Sequence, residues 1–425
     1  MTGIIRYYLD FSGYFLSGFD VGYVFENGHE TFPMWGYGMV LLITQNKFLI
    51  ICVQQLFTIF TIYYSIRVLR QLFDSEQIVL WLKILLLFFG YSWFIFHTPI
   101  WPYSLSANLF IISILLLAQA VQKNGLKEYL LSAIFYGIVL NFRSDYLFLY
   151  FCLTPILLVY VLFTQKSAFA KVLIWAGTIF IFLIPWGIYT QSKTGSFLMN
   201  STNGGHYLIV SLGQLPNNVW GFTPKDGDPK MKALVEDQLG VGVSTLSYEG
   251  DKLLKTAWAE RVKAEPVEFL KKCGNSVYML FTRPFAQGHL YKTFIRDEAQ
   301  QQAMKEAIQN DLKNKDFIGL FKRLFSPKYS GFSIPLVLNA LSILFYLFLL
   351  VVIFFGLYHY KLEVFKSWFL ICLIAILGYQ FAFQTLGLYG ENYHTNVFLF
   401  YLFLAAIILG QKTKILDEAQ PVVES

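Results

Sequence analysis

Long uninterrupted apolar runs joined by short polar connections make up most of this chain, and one long polar interval breaks the series. The runs cover roughly 47–68, 76–97, 102–121, 127–141, 145–163, 170–189, 333–358, 367–386 and 396–411. They are continuous rather than alternating, which predicts helices and not barrel strands. Several approach the roughly 20 residues that cross a hydrocarbon core. The run 127–141 is short, and is expected to tilt little or to bury its end in protein.

The polar interval, 190–332, has helical periodicity over Asp228 to Leu239, Tyr248 to Ala264 and Pro266 to Phe281, with Pro266 suited to a first helical turn. Asp297 to Phe325 reads as a further, strongly polar helical stretch. Few strand signals occur, so the interval is expected to be a small, mostly helical cap. Residues 1–46 mix polar and apolar positions and read as an interface-lying segment. Within them Trp35 to Thr44 is apolar but too short to span, as a re-entrant or interfacial helix would be.

Composition agrees with the pattern. The 425 residues are 56% hydrophobic and only 14% charged, against roughly 25% charged in soluble domains. The expected class is therefore an all-α polytopic membrane protein of about nine transmembrane helices. The boundaries are an outer loop at 1–46, a transmembrane bundle at 47–189, a helical segment at 190–332, closing helices at 333–411 and a tail at 412–425 whose end reads as disordered. The formal charge of +6 is spread through short loops. It carries topology information and gives no reason to expect a nucleic-acid partner. Cys52, Cys152, Cys273 and Cys372 are widely spaced, three of them inside apolar runs, and read as small buried hydrophobes rather than a zinc or disulfide framework.

The basic residues fall in alternate connections: Arg67 and Arg70, Lys123 and Lys127, Lys166 and Lys171, Lys361 and Lys366, Lys412 and Lys414. The connections 98–101 and 387–395 have none, and 142–144 has only Arg143. The positive-inside rule puts the basic set in the cytoplasm. The N-terminal segment, 190–332 and 387–395 are then expected outside. No basic n-region or small-residue cleavage site precedes the first run.

Motifs gather at that outer side. Asp10 opens D-x-x-x-Y and is followed by Gly18, Gly22-Tyr23 and F-P-M-W-G-Y at 32–37. Gly137 precedes Arg143 in N-F-R-S-D. The run 170–189 leaves the membrane through Pro185-Trp186-Gly187 and a small-residue loop that ends in S-T-N-G-G-H, Ser201 to His206. The last outer loop reads G-E-N-Y-H, Gly390 to His394. In this order the motifs resemble the GT-C glycosyltransferases, the polyprenyl-phosphate-sugar-dependent group that includes protein O-mannosyltransferases and lipid A aminoarabinose transferases.

The resemblance implies a multi-pass enzyme of the plasma or inner membrane with an extracytoplasmic active site. It would move a sugar from a polyprenyl-phosphate donor to a lipid, glycan or protein acceptor, with inversion. It implies that Asp10 takes the place of the catalytic carboxylate, which must stand within about 3 Å of the acceptor hydroxyl to accept its proton. A helix cap or a solvated loop acid would look the same in sequence, and Asp20 is the rival base. Glu26, His29 and Glu30 lie nearby. Relatives often have Asp-Glu where this chain has Asp10-Phe11, Ser-Glu where it has Ala107-Asn108, and Arg-Tyr where it has Asn392-Tyr393. Relatives also have a helix before this point, so the sequence is expected to begin late.

Arg143 is notable without any resemblance. A charge at membrane depth costs at least about 2.5 kcal/mol at a helix centre and has a partner. Asp145 is the local one; the resemblance offers a donor phosphate, which a guanidinium binds in bidentate fashion. Backbone amides of Ser201–His206 can cradle sugar or phosphate, with Asn203 and His206 as the side chains of interest, although a plain turn reads the same way. Lys193 is close enough in sequence to contact phosphate, or is simply solvated. Tyr393 and His394 are further substrate-binding candidates. His97, with Trp101 and Tyr103, fits an interfacial aromatic belt. The sequence shows no metal-ligand spacing, Walker or dinucleotide fingerprint, so no cofactor is expected and a metal requirement stays open. Two other readings stand beside the transferase: a lipid-linked saccharide transporter, which needs a polar transmembrane path, and a catalytically inactive homologue. An O-antigen-type polymerase would need paired Arg-rich outer loops, which are not seen.

Overall fold

A computed structural model describes residues 36–37, 40, 46–97, 102–282, 303, 306–308, 310–311, 313–324, 330–360, 367–390, 393 and 395–418. Asp10, Asp20, Glu26, His29, Glu30, Trp101 and His394 lie outside the described residues. Among the described residues the chain is helical, without strands.

Every apolar run has become helix. The first stretch is α1 (Lys47–Phe73), α2 (Glu76–Phe96), α3 (Pro102–Lys123), α4 (Leu126–Phe142) and α5 (Tyr146–Thr164). After it come α6 (Phe169–Ile181) and α7 (Ile184–Thr194). Among the described residues six helical spans are long and apolar enough to cross a membrane: Phe48–Phe73, Pro102–Lys123, Tyr146–Thr164, Lys166–Thr194, Ala340–His359 and Trp368–Leu386. The chain is therefore a polytopic membrane protein. α4 is a shorter helix, packed against α3 and α6.

The run 170–189 is not one straight helix. It breaks at Phe182-Leu183 into α6 and α7, because Pro185 has no N–H to continue the ladder. Asn141 compensates: its Nδ2 donates to the Phe182 carbonyl at 3.0 Å.

α3 is the axis of the bundle, buried along its whole apolar window. It packs on α1 and α4, and Ser113 bonds Ser132 of α4, whose hydroxyl also accepts from Trp175 Nε1 of α6. The polar interval forms α8 (Gly204–Leu212), α9 (Pro229–Leu239), α10 (Tyr248–Ala264), α11 (Pro266–Thr282) and α12 (Phe317–Leu324). Asp228 and Ser247 cap α9 and α10 by accepting from Met231 N and Gly250 N. The closing helices are α13 (Ser330–Tyr360), α14 (Trp368–Leu386) and α15 (Phe398–Glu418). α15 runs beyond the expected boundary at 411, since Lys412 to Glu418 continue its turns.

The two ends of the bundle differ in chemistry. At one end Lys171 of α6 donates to Asn124 in the α3–α4 connection, and Asn124 bonds Ser167. Two of the Lys-bearing connections therefore share an end. At the other, the turn 143–145, the start of α3, the loop before α8 and the loop before α15 converge.

Candidate functional site

Arg143 is the centre of that second end. It is the C-cap of α4, extended at φ −151°, so its side chain leaves the helix into the space between helix ends. It is 8% exposed. Asp145, two residues on, takes it in fork geometry: Nε donates to Oδ1 at 2.8 Å and Nη2 to Oδ2 at 2.7 Å. The sequence expectation of a local Asp145 partner holds. Tyr379 of α14 donates to the Asp145 carbonyl at 3.0 Å, which ties the turn to the closing helices.

The guanidinium is walled by tyrosines. Its carbon stands 3.7 Å from the Tyr103 ring centroid, 5.0 Å from Tyr393 and 5.9 Å from Tyr146. All are within cation–π range. One nitrogen is left over: Nη1 is buried and has no hydrogen-bond partner. A buried unpaired donor on a charged group costs at least about 1–3 kcal/mol.

The small-residue loop reaches the same place. Ser144 and Ser201 share a hydrogen bond of 2.8 Å, and Ser201 donates to Asn203 Oδ1 at 2.7 Å. Tyr207, one residue beyond His206, interacts with Asn203, Tyr103 and Arg143. Burial first, then Tyr103 and Tyr207, push the Tyr393 phenol above its ordinary range, so it stays neutral. Arg143, Tyr393, Asn203 and the Ser201 loop, drawn from distant stretches, thus form one constellation with Tyr103 and Tyr207.

The glycines of the loop serve a different purpose from the expected cradle. Gly205 N donates to Asp251 Oδ1 of α10 at 2.6 Å, and a Cβ on Gly205 would collide with the Asp251 carbonyl. The positive end of α8 is already met by an internal carboxylate, itself paired with Lys255 at 2.5 Å. The glycines let α8 and α10 approach; the Gly205 amide is not available to a ligand. Thr202 is pinned as well, donating to the Leu246 carbonyl at 2.7 Å. Trp186 of the Pro-Trp pair donates to the Asn200 carbonyl at 3.2 Å and braces the same loop.

His206 is 5% exposed, between Thr245 Oγ1 at 3.0 Å from Nδ1 and Asp226 Oδ1 at 3.4 Å from Nε2. The His206 hydrogen bond holds Asp226 below its ordinary carboxylate range. Lys193 is exposed on α7.

His97 departs from the expected interfacial belt. It is fully buried at the end of α2, where its carbonyl accepts from Gln54 Nε2 and its Nδ1 meets Asn108 Nδ2 at 3.3 Å. Asn108 also donates to Thr58 Oγ1, and Tyr37 to Gln54 Oε1. Asn108 joins α1, α2 and α3. Tyr103 belongs to Arg143 rather than to a belt. Sequence reasoning also missed Asp226, Asp251 and Lys272. Lys272 alone left a trace, since it shares the helical stripe of Cys273, Ser276 and Leu280, all buried.

Among the described residues no group of three or more His, Cys, Asp or Glu side chains is arranged to hold a metal. Compared with protein-family models, curated proteins and solved structures, the chain matches none.

Proposed function

We propose that this chain is a membrane glycosyltransferase that moves a sugar from a polyprenyl-phosphate carrier to an acceptor at the extracytoplasmic face, with inversion. The observation that carries the reading is the unpartnered, buried Nη1 of Arg143. It is a cationic donor held between helix ends, and in this reading it meets the donor's lipid-borne phosphate. Asp145 occupies the other fork, so the side chain is already oriented and one N–H edge remains for an anion.

In this reading the acceptor oxygen attacks the anomeric carbon, and the bond from that carbon to the phosphate oxygen breaks. The electron pair leaves with the carrier phosphate, whose growing charge Arg143 stabilises. The acceptor proton passes to a carboxylate, with Asp10 or Asp20 in that role. This reading gives substrate-binding roles to Asn203, His206, Lys193, Tyr393 and His394. The protein belongs in the plasma or inner membrane, with lipid, glycan or protein as acceptor and no nucleic acid.

The buried Gln54, Thr58, His97 and Asn108 network favours a second reading, a lipid-linked saccharide transporter, since polar groups inside a bundle line transport paths. One assay separates the two. Purified protein in proteoliposomes is given a polyprenyl-phosphate sugar and candidate acceptors. The transferase reading expects a glycosylated product and free polyprenyl phosphate. Movement of intact donor across the bilayer without product would overturn it.

A further inference from the structure

Two side chains of the 190–332 segment grip the loop that carries Tyr393, and a third braces them. Lys272 of α11 is fully buried, and its ammonium donates to the carbonyls of Thr385 at 3.0 Å, Leu386 at 3.3 Å and Gly387. These are the last acceptors of α14, orphaned by the helix end and carrying its negative pole. Gln214, just after α8, behaves like a backbone strand. Its Nε2 donates to the Tyr389 carbonyl at 2.7 Å and its Oε1 accepts from Tyr389 N at 2.9 Å. Asn275, one turn along α11 from Lys272, donates to the Gln214 carbonyl at 2.8 Å and locks the two grips together. Past Tyr389 the loop meets α14 again, where Gln380 Nε2 donates to the Tyr393 carbonyl at 2.8 Å. The Tyr393 ring then stands against Arg143, Tyr103 and Phe383.

We infer that Lys272, Gln214 and Asn275 form a clamp that positions Tyr393 against Arg143, so that the 190–332 helices set the shape of the anion subsite. None of the three touches Arg143 itself; they are positioning residues. The inference rests on the transferase reading for the identity of the anion, while the clamp stands on geometry alone. Its physical sense is that a connection between two helices holds an aromatic face at a fixed distance from a cation when its backbone groups are tied on both sides.

The test uses the full chain in detergent, with farnesyl phosphate as probe. Gln214→Leu removes both bonds to Tyr389, and Asn275→Ala is a milder variant should the first fail to fold. Amide hydrogen exchange over 385–395 and probe affinity are read together. Faster exchange there, with affinity weakened on the order of tenfold, the size of a desolvated cation–aromatic contact, is the expected result. In a Tyr393→Ala background the same variants should weaken binding no further. Equal weakening with and without Tyr393, or unchanged exchange, would overturn the clamp. If the wild-type chain does not bind farnesyl phosphate, the donor reading falls, and the exchange measurement alone upholds or overturns the clamp.

Discussion

The Arg143 guanidinium stands over the Tyr103 ring, its carbon 3.7 Å from the centroid. One residue comes from the end of α4 and the other from the start of α3, and the contact places a full charge against an aromatic face inside a bundle of apolar helices. A planar cation suits that stack, and a point-like ammonium does not.

Arg143→Lys should therefore fail to restore what Arg143→Ala removes. Both are expected to weaken polyprenyl-phosphate binding by about 10–100-fold, from loss of a charge-assisted contact. Asp145→Ala should act on stability instead. It strands a buried cation and should cost about 3 kcal/mol, the low end for a broken buried pair, because Asp145 is 23% exposed. Binding titrations and thermal unfolding in detergent distinguish the two effects.

Asp10→Asn keeps size and removes the base. If Asp10 takes the acceptor proton, turnover should fall on the order of 10²–10⁴-fold with donor binding nearly unchanged. Near-normal transfer by this variant would pass the role to Asp20, to be checked by Asp20→Asn in the same assay.

Topology has a direct check. Single cysteines within 205–245 and at Ser425, in a background without the native four, should react with an impermeant thiol reagent from opposite sides of the membrane. Labelling from one side would remove the extracytoplasmic placement of the site.

Gly205→Ala separates the two meanings of the S-T-N-G-G run. A new Cβ pushes into the Asp251 backbone, so the variant should lose about 1–3 kcal/mol of stability through overpacking of α8 on α10. Donor affinity, measured below the unfolding temperature, should change little. A stable variant with lost affinity would restore the cradle.

Lys272 gives the fold a pH signature. Burial pulls its ammonium down to about 8, against roughly 10.4 in an unfolded chain. Between those values the unfolded state holds more protons, so stability rises as pH climbs from about 8 to about 10.4 and is lost as pH falls back through that window. Lys272→Met should flatten this slope. It should also lower stability at pH 7 by about 2 kcal/mol or more, because the carbonyls of 385–387 lose their donor. Chemical unfolding of both proteins across pH 7–10.5 measures each effect.

The sequence by itself determined that this is a helical membrane protein and where most helices lie, because an apolar run in lipid has no backbone solution other than a helix or a closed barrel. One helix start was legible for the same local reason: Pro266 stands in the first turn of the helix it announces. Arg143 was legible as an anomaly, a charge between two apolar runs. What tertiary structure alone decided is who faces it. Tyr103, Tyr393 and Ser201 are far from Arg143 along the chain, and no periodicity encodes contact between loops. The break at Phe182 was written in Pro185, but its repair by Asn141 was not. The glycines of Ser201–His206 could be read as a ligand cradle or as a close helix approach, since both need the missing Cβ. Only the arrival of Asp251 from α10 decided between them.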